Sequence, residues 1–139
     1  MPKLQYWLVK SEPSVYPYRQ LVEEGHTDWT GVRNFEARNN LRGMREGDLV
    51  FFYHSNEGKE IVGVAKVAAG PTADPTAPGE DWASVELAAH KMLEKPVSLA
   101  TLKQRAAFND FQLISRSRLS VIPVTAAHFK AVLSLAKAK

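Results

Sequence analysis

Residues 28–35, with the sequence DWTGVRNF, gather side chains that could recognise a flat polar ligand. Trp29 offers an aromatic face for stacking, while Arg33 and Asn34 offer directional hydrogen-bonding groups beside it. Gly31 allows the backbone to turn with positive φ or to approach a ligand closely. The apolar residues follow neither helical nor strand spacing, which predicts a shaped loop. A second interpretation fits equally well, in which Trp29 fills the core and Arg33 pairs with a carboxylate.

Three further polar clusters stand at the ends of predicted strands. They are Lys10, Ser11 and Glu12; His54, Ser55 and Asn56; and Arg116, Ser117 and Arg118. Rigid strands can deliver such groups to one shared position, where ligands tend to bind. Loops are polar in general, so the clusters by themselves also fit ordinary strand ends.

Three arginines recur at helical spacing after the DWTGVRNF segment. Arg38, Arg42 and Arg45 are predicted to lie along one helix face. Such a stripe can follow the phosphates of a nucleic acid, and binding would then depend on salt concentration. A solvated helix face explains the same pattern, because Glu36 and Glu46 dilute the charge.

Common catalytic and metal-binding signatures are absent from the sequence. The chain has no cysteine, which excludes disulfides, thiolate zinc sites and cysteine nucleophiles. Its four histidines lack HxH or HExxH spacing, and there is no GxSxG, Walker or GxGxxG motif. We therefore expect no metal ion and no cofactor. An enzyme is still an alternative, with Lys10, Glu12 and His54 as its acid–base groups.

The composition is that of a globular protein that fits one domain over residues 1–139. Hydrophobic residues make up 45% and charged residues 24%, which excludes a disordered chain. The net charge of +3 permits an anionic partner without requiring one. Residues 1–13 lack the long apolar run and the cleavage site expected of a signal peptide, and no apolar run reaches the roughly 18 residues expected of a membrane span. We expect a monomer in the cytoplasm, or in the nucleus of a eukaryote, that does not bind membranes.

Hydrophobic spacing and turn residues predict the elements that position these groups. They are a strand at 4–9, a helix from Pro17 to Gly25, a helix at 35–44 capped by Asn34, a β-hairpin at 47–68, an exposed loop at 70–80, a strand at 82–93, a helix at 99–107, an extended segment at 118–124 and a closing helix capped by Thr125. No βα unit repeats, which favours a small antiparallel barrel with flanking helices. The hairpin edge leaves a third alternative, a protein-interaction module.

Several long blocks of the sequence resemble the EVE domain family. They are YWLVKSEP at 6–13, WTGVRNFEARNNLRGMREGD at 29–48, FFYHSN at 51–56, IVGVAKV at 61–67 and RLSVIPVT at 118–125. The resemblance implies an α+β, PUA-like fold, which is a small, mostly antiparallel β-barrel with surrounding helices. It also implies a pocket for a modified nucleobase that is flipped out of DNA or RNA. The loop at 70–80 falls where the family varies, so we expect little from it.

The resemblance further implies which positions meet the nucleic acid. The pocket is expected to contain Trp7, Lys10, Ser11, Glu12, Trp29, Val32, Arg33, Asn34, His54, Ser55, Arg118 and Ser120. From their helical spacing, and not from the resemblance, Arg38, Arg42 and Arg45 are expected to contact the nucleic-acid backbone. Aromatic stacking and hydrogen bonds to the base edge would compensate the unstacking of a flipped base. The resemblance therefore implies a non-catalytic reader of a modified nucleobase.

Overall fold

The computed structural model of the protein describes residues 4–137, which form six strands and five α-helices. The strands are β1 Tyr6–Ser11, β2 His26–Trp29, β3 Leu49–His54, β4 Glu60–Ala73, β5 Ala83–Ser98 and β6 Val121–Val124. The helices are α1 Tyr18–Glu24, α2 Phe35–Gly43, α3 Leu99–Lys103, α4 Gln112–Ser115 and α5 Ala126–Ala136, with a 3-10 turn at Ala106–Phe108. No helix within residues 4–137 is long and apolar enough to cross a membrane.

All six strands belong to one sheet, in the order β2-β5-β4-β3-β1-β6. β1 and β3 are parallel, and the other neighbours are antiparallel. The outer strands β2 and β6 do not pair with each other in the part of the chain that is described, so the sheet is open. The α+β class is therefore confirmed, whereas the predicted closed barrel is not.

The β3–β4 hairpin lies in the interior of the sheet. β3 pairs with β1 on its other side, and β4 pairs with β5. A hairpin edge is thus not exposed for strand addition, and the proposed interaction surface there was wrong. The sequence pattern missed this because strand order depends on pairings between distant segments.

Strand β3 is buried on both faces, as its run of apolar residues indicates. Phe51 stacks on Phe129 of α5 with ring centres 4.4 Å apart, and Phe52 meets Tyr18 of α1 edge-on at 5.3 Å. Tyr18 lies directly over Gly63 of β4, where an added Cβ would stand 2.5 Å from its ring. The glycine is therefore required for the close packing of α1 on the sheet.

Several predicted boundaries differ from the structure: the predicted strand at 82–93 continues to Ser98, the predicted helix at 99–107 ends at Lys103, and two predicted loops begin later than expected. The segment at 28–35 begins inside β2, because Asp28 and Trp29 pair with β5, and only residues 30–34 form a loop. The predicted loop at 70–80 begins inside β4, which continues to Ala73 opposite Ala83. Both long strands carry register shifts, and such bulges bend a strand without ending it.

Candidate functional site

A cavity of about 640 Å³ opens where β1, β2 and the loop at 30–34 meet. Its volume is within the range of small-molecule pockets. The lining residues are Lys10, Ser11, Val15, Tyr16, Thr27, Asp28, Trp29, Thr30, Gly31, Val32, Arg33, Asn34 and Ser120. Seven predicted positions are among them, namely Lys10, Ser11, Trp29, Val32, Arg33, Asn34 and Ser120.

Trp29 forms a half-buried aromatic wall of this cavity. Its ring meets Phe52 edge-on at 5.5 Å and Tyr16 edge-on at 6.2 Å. Perpendicular aromatic contacts of this kind are favourable and fix the orientation of a ring. Val32 is buried and adds an apolar surface beside it. The cavity therefore combines a rigid aromatic ring with an aliphatic side chain.

Asp74 holds the loop that carries Gly31 and Arg33. Its carboxylate is fully buried and accepts hydrogen bonds from the Gly31 N–H at 2.9 Å and from Arg33 Nη1 at 3.0 Å. It also accepts from the backbone N–H and the hydroxyl of Thr76. Burial raises the pKa of Asp74, but the hydrogen bonds from Thr76, Gly31 and Arg33 outweigh it and hold the pKa well below its ordinary value. Gly31, with φ of +80°, suits this turn.

Lys10 is the cationic residue on one side of the cavity, and neutral hydrogen-bonding groups surround it. The Lys10 ammonium group donates to the carbonyl oxygen of Ser117 at 2.8 Å, and burial lowers its pKa. The Lys10 backbone N–H donates to the carbonyl oxygen of Ser120 at 3.0 Å. The hydroxyl of Ser11 donates to the carbonyl oxygen of Tyr16 at 2.8 Å. These bonds fasten three separate segments around the opening.

Asn34 stands at the boundary between this cavity and a smaller one. Its Oδ1 accepts from the N–H of Ala37 at 2.9 Å, which caps α2 as predicted. Arg118 lines the smaller cavity and not the larger one. The structure thus separates Arg118 from Ser120, although the sequence prediction placed both in one pocket.

The remaining predicted positions do not line the main cavity. Trp7 is a core residue, only 6% exposed, and its indole N–H donates to Asp48 at 3.0 Å. Glu12 accepts a hydrogen bond from the side chain of Asn56. The backbone N–H of Ser55 donates to the carbonyl oxygen of Ser11 and closes the end of the β1–β3 pair. These contacts place Trp7, Glu12 and Ser55 in the frame of the site, by which we mean the structure that supports the cavity without lining it.

The side chain of His54 binds the first backbone N–H of helix α1 and does not line the main cavity. Its Nε2 accepts a hydrogen bond from the backbone N–H of Tyr18 at 3.1 Å, so the neutral ring is the form that suits this contact. Burial lowers the pKa of His54, with the Glu60 carboxylate opposing that shift. Of the acid–base set Lys10, Glu12 and His54, only Lys10 lines the cavity. Nor do residues 4–137 contain a group of three histidine or acidic side chains that could hold a metal ion.

The contact of His54 makes folding stability depend on pH. Its folded pKa is below the ordinary value of 6.5, so its contribution is present above pH 6.5 and is lost as the pH falls through the folded pKa. Urea unfolding from about pH 8 to about pH 5 should show a smaller loss of stability for His54→Gln than for the unchanged protein. Equal losses in the two proteins would contradict this assignment, because the other histidines are common to both.

The predicted arginine stripe is partly neutralised, because two of its arginines share one carboxylate. Arg38 and Arg42 both pair with the carboxylate of Asp81, and the Arg38 guanidinium also lies 5.0 Å from the ring centre of Phe35. Arg45 lies beyond the end of α2. The prediction that all three arginines share one helix face was therefore wrong. A contact between these arginines and a nucleic-acid backbone stays a prediction.

The segments that line the main cavity all lie within one family match. The family model of the EVE domain matches residues 5–135, which includes every segment that lines it. The chain belongs to the EVE domain family. An NMR structure from Rhodopseudomonas palustris resembles this EVE domain with a TM-score of 0.92 and 46% identity, over 96% of this chain and 93% of that one.

The relatives of this EVE domain include proteins named thymocyte nuclear protein 1. The Danio rerio protein is 33% identical over 168 residues, which cover 96% of this chain and 73% of the relative. The human protein was crystallised in complex with DNA that contains 5-methylcytosine. That structure is 31% identical with a TM-score of 0.91, and the match covers 97% of this chain and 99% of the human one.

Sequence reasoning missed several residues of this EVE domain site. Tyr16, Thr27 and Asp28 line the cavity, and Asp74 anchors its loop from the segment that was expected to contribute little. One local signal for Asp74 was present in the sequence. An aspartate two residues before Thr76 is typical of an Asx turn, and the N–H of Thr76 does donate to the Asp74 carboxylate at 2.7 Å.

Proposed function

We propose that this chain is a single EVE domain over residues 1–139 that binds nucleic acid and reads one modified nucleobase in the main cavity. The cavity carries this proposal, because it combines the half-buried ring of Trp29 with the buried Val32 and with polar groups at its edge. Its volume of about 640 Å³ leaves room for a base and part of its sugar. The protein acts in this proposal as a monomer, without a metal ion or a cofactor.

Each part of the cavity has a defined task in base recognition. The flat face of Trp29 stacks on the flipped base, an interaction worth about 1–3 kcal/mol per base. Val32 and the ring of Tyr16 contact an added methyl group. The side-chain NH2 of Asn34, which the helix cap does not use, binds the polar edge of the base or the adjoining sugar, together with the guanidinium N–H groups of Arg33 that do not contact Val32, Asp74 and Thr76. Together these contacts offset the few kcal/mol that unstacking requires.

The comparison with human thymocyte nuclear protein 1 supports the class of ligand. That protein was crystallised with DNA containing 5-methylcytosine, and its fold extends over nearly the whole of this chain. The cationic Lys10 at the cavity suits the same polyanionic partner, whereas the charge of Arg33 is paired with Asp74. A catalytic function has less support, since His54 and Glu12 are engaged in contacts of the frame.

Equilibrium binding to fluorescently labelled oligonucleotides tests the proposal. We expect an oligonucleotide with one 5-methylcytosine, or one N6-methyladenine, to bind more tightly than its unmodified twin. A buried methyl group contributes about 0.8 kcal/mol, so the preference should be about fourfold or more in Kd. Equal Kd values for modified and unmodified DNA and RNA at several salt concentrations would overturn the proposal.

A further inference from the structure

A second, smaller cavity adjoins the main one and is built differently. Its volume is about 250 Å³, and Asn34 lines both cavities. The other lining residues are Ser115, Arg116, Ser117, Arg118 and Leu119. Apart from Leu119, all of these side chains are polar or cationic, which makes the cavity suited to a small anion rather than to an aromatic ring.

Arg118 supplies the free charge of this cavity. It is exposed and forms no ion pair within residues 4–137. Arg116, by contrast, is held in a two-pronged pair with the carboxylate of Glu36, with Nη1 to Oε2 at 2.8 Å. The pairing neutralises Arg116 and fixes the end of α4. Arg118 is therefore the guanidinium that can bind an anion here.

Lys10 contacts the walls of both cavities. Its side chain lines the main cavity, and its ammonium group donates to the carbonyl oxygen of Ser117 in the wall of the smaller one. The backbone N–H of Lys10 also holds Ser120, which lines the main cavity. The segment 115–120 thus forms a shared wall, and a ligand that fills both cavities would lie along it.

From this arrangement we infer that the smaller cavity is a phosphate subsite. Arg118, with the hydroxyl groups of Ser115 and Ser117, binds the phosphodiester next to the nucleotide whose base occupies the main cavity. Guanidinium and hydroxyl groups are the donors that commonly hold phosphate oxygens. This inference rests on the proposed function, but it adds a second contact point that fixes the position of the nucleotide and is independent of the base modification.

The first experiment uses Arg118→Gln and the matched control Arg105→Gln, which removes an exposed arginine outside both cavities. We expect Arg118→Gln to weaken binding of a single-stranded oligonucleotide about fivefold at moderate salt, and to reduce the slope of log K against log salt by about 0.7. Modified and unmodified oligonucleotides should weaken equally. Arg118→Lys should retain the slope, and thermal melting checks that the variants fold. An Arg118→Gln variant that behaves like Arg105→Gln would overturn the inference.

The second experiment locates the phosphate. A neutral methylphosphonate replaces the phosphodiester next to the modified base, or one several nucleotides away. We expect only the adjacent replacement to weaken binding to the unchanged protein, with no further loss in Arg118→Gln. Equal effects at both positions would contradict the subsite. So would binding of inorganic phosphate at Ser115–Arg118 in an NMR titration without any effect of the adjacent methylphosphonate.

The two proposals fail in different ways. If the phosphate subsite is wrong, the Arg118 variants leave the salt slope unchanged, and the preference for a modified base is retained. If the proposed function is wrong, modified and unmodified oligonucleotides bind equally well. The salt slope and the phosphate titration still show whether Arg118 binds phosphate.

Discussion

Replacing Asp74 with Asn should destabilise the protein by about 3 kcal/mol and weaken nucleic-acid binding at least tenfold. The buried carboxylate accepts four hydrogen bonds, from the Gly31 N–H, Arg33 Nη1 and the N–H and hydroxyl of Thr76. An amide has one oxygen in place of two and carries no charge, so it cannot serve all of these donors. The loop at 30–33 should then lose its fixed position. Urea unfolding and oligonucleotide titration measure the two effects.

Asp81→Asn is the matched control for Asp74→Asn. Asp81 pairs with Arg38 and Arg42, but its side chain is 75% exposed. Exposed ion pairs contribute at most about 1 kcal/mol, so this variant should keep nearly the stability of the unchanged protein and should lose no affinity for nucleic acid. Similar losses for the two variants would contradict the anchoring role of Asp74.

Acid unfolding gives a second readout of the same carboxylate. The pKa of Asp74 in the folded protein is below the ordinary value of 3.8, so its stabilising contribution is present above pH 3.8 and is lost as the pH falls toward the folded pKa. Between about pH 6 and about pH 3, the Asp74→Asn variant should therefore lose less stability than the unchanged protein does.

Replacing Trp29 with Ala should abolish the preference for a modified base. The variant loses the stacking surface that holds the flipped base against Val32 and Tyr16, where an added methyl group is recognised. Stacking is worth about 1–3 kcal/mol, or about 5- to 150-fold in Kd. Trp29→Phe keeps a smaller aromatic face and should bind with intermediate affinity. Because the ring also packs on Phe52 and Tyr16, thermal melting must show that each variant is folded before its Kd is compared.

Trp82→Ala provides the control for an aromatic residue outside the cavity. Trp82 stacks on Phe35 at 5.3 Å and does not line the main cavity. This variant should retain the preference for a modified base. If Trp29→Ala retains it as well, the stacking role of Trp29 is wrong.

Local features of the chain were predictable because their causes lie within a few residues. Asn34 and Thr125 each accept a hydrogen bond from the N–H three residues ahead, and Gly25 ends α1 with φ of +85°. The hairpin likewise follows from two apolar runs around a short polar turn. For such elements, sequence spacing carries enough information.

The site was less predictable because its decisive partners are distant in sequence. Trp7 and Trp29 both stand near polar clusters, yet the indole N–H of Trp7 is taken by Asp48, which lies 41 residues away. Arg33 and Asp74 are also separated by 41 residues. Strand β2 has only four residues, and it is recognisable as a strand only from its pairing with β5. These contacts depend on the sheet order, which no local pattern encodes.

The position of the base in the complex is the most direct test of the account. NMR of the labelled protein, bound to an oligonucleotide with one 5-methylcytosine, reports which protons lie within about 5 Å of the methyl group. We expect nuclear Overhauser contacts from that methyl group to Val32, Trp29 and Tyr16. Contacts confined to neighbouring bases, with unchanged resonances for Trp29 and Val32, would contradict the central claim that this cavity receives the base.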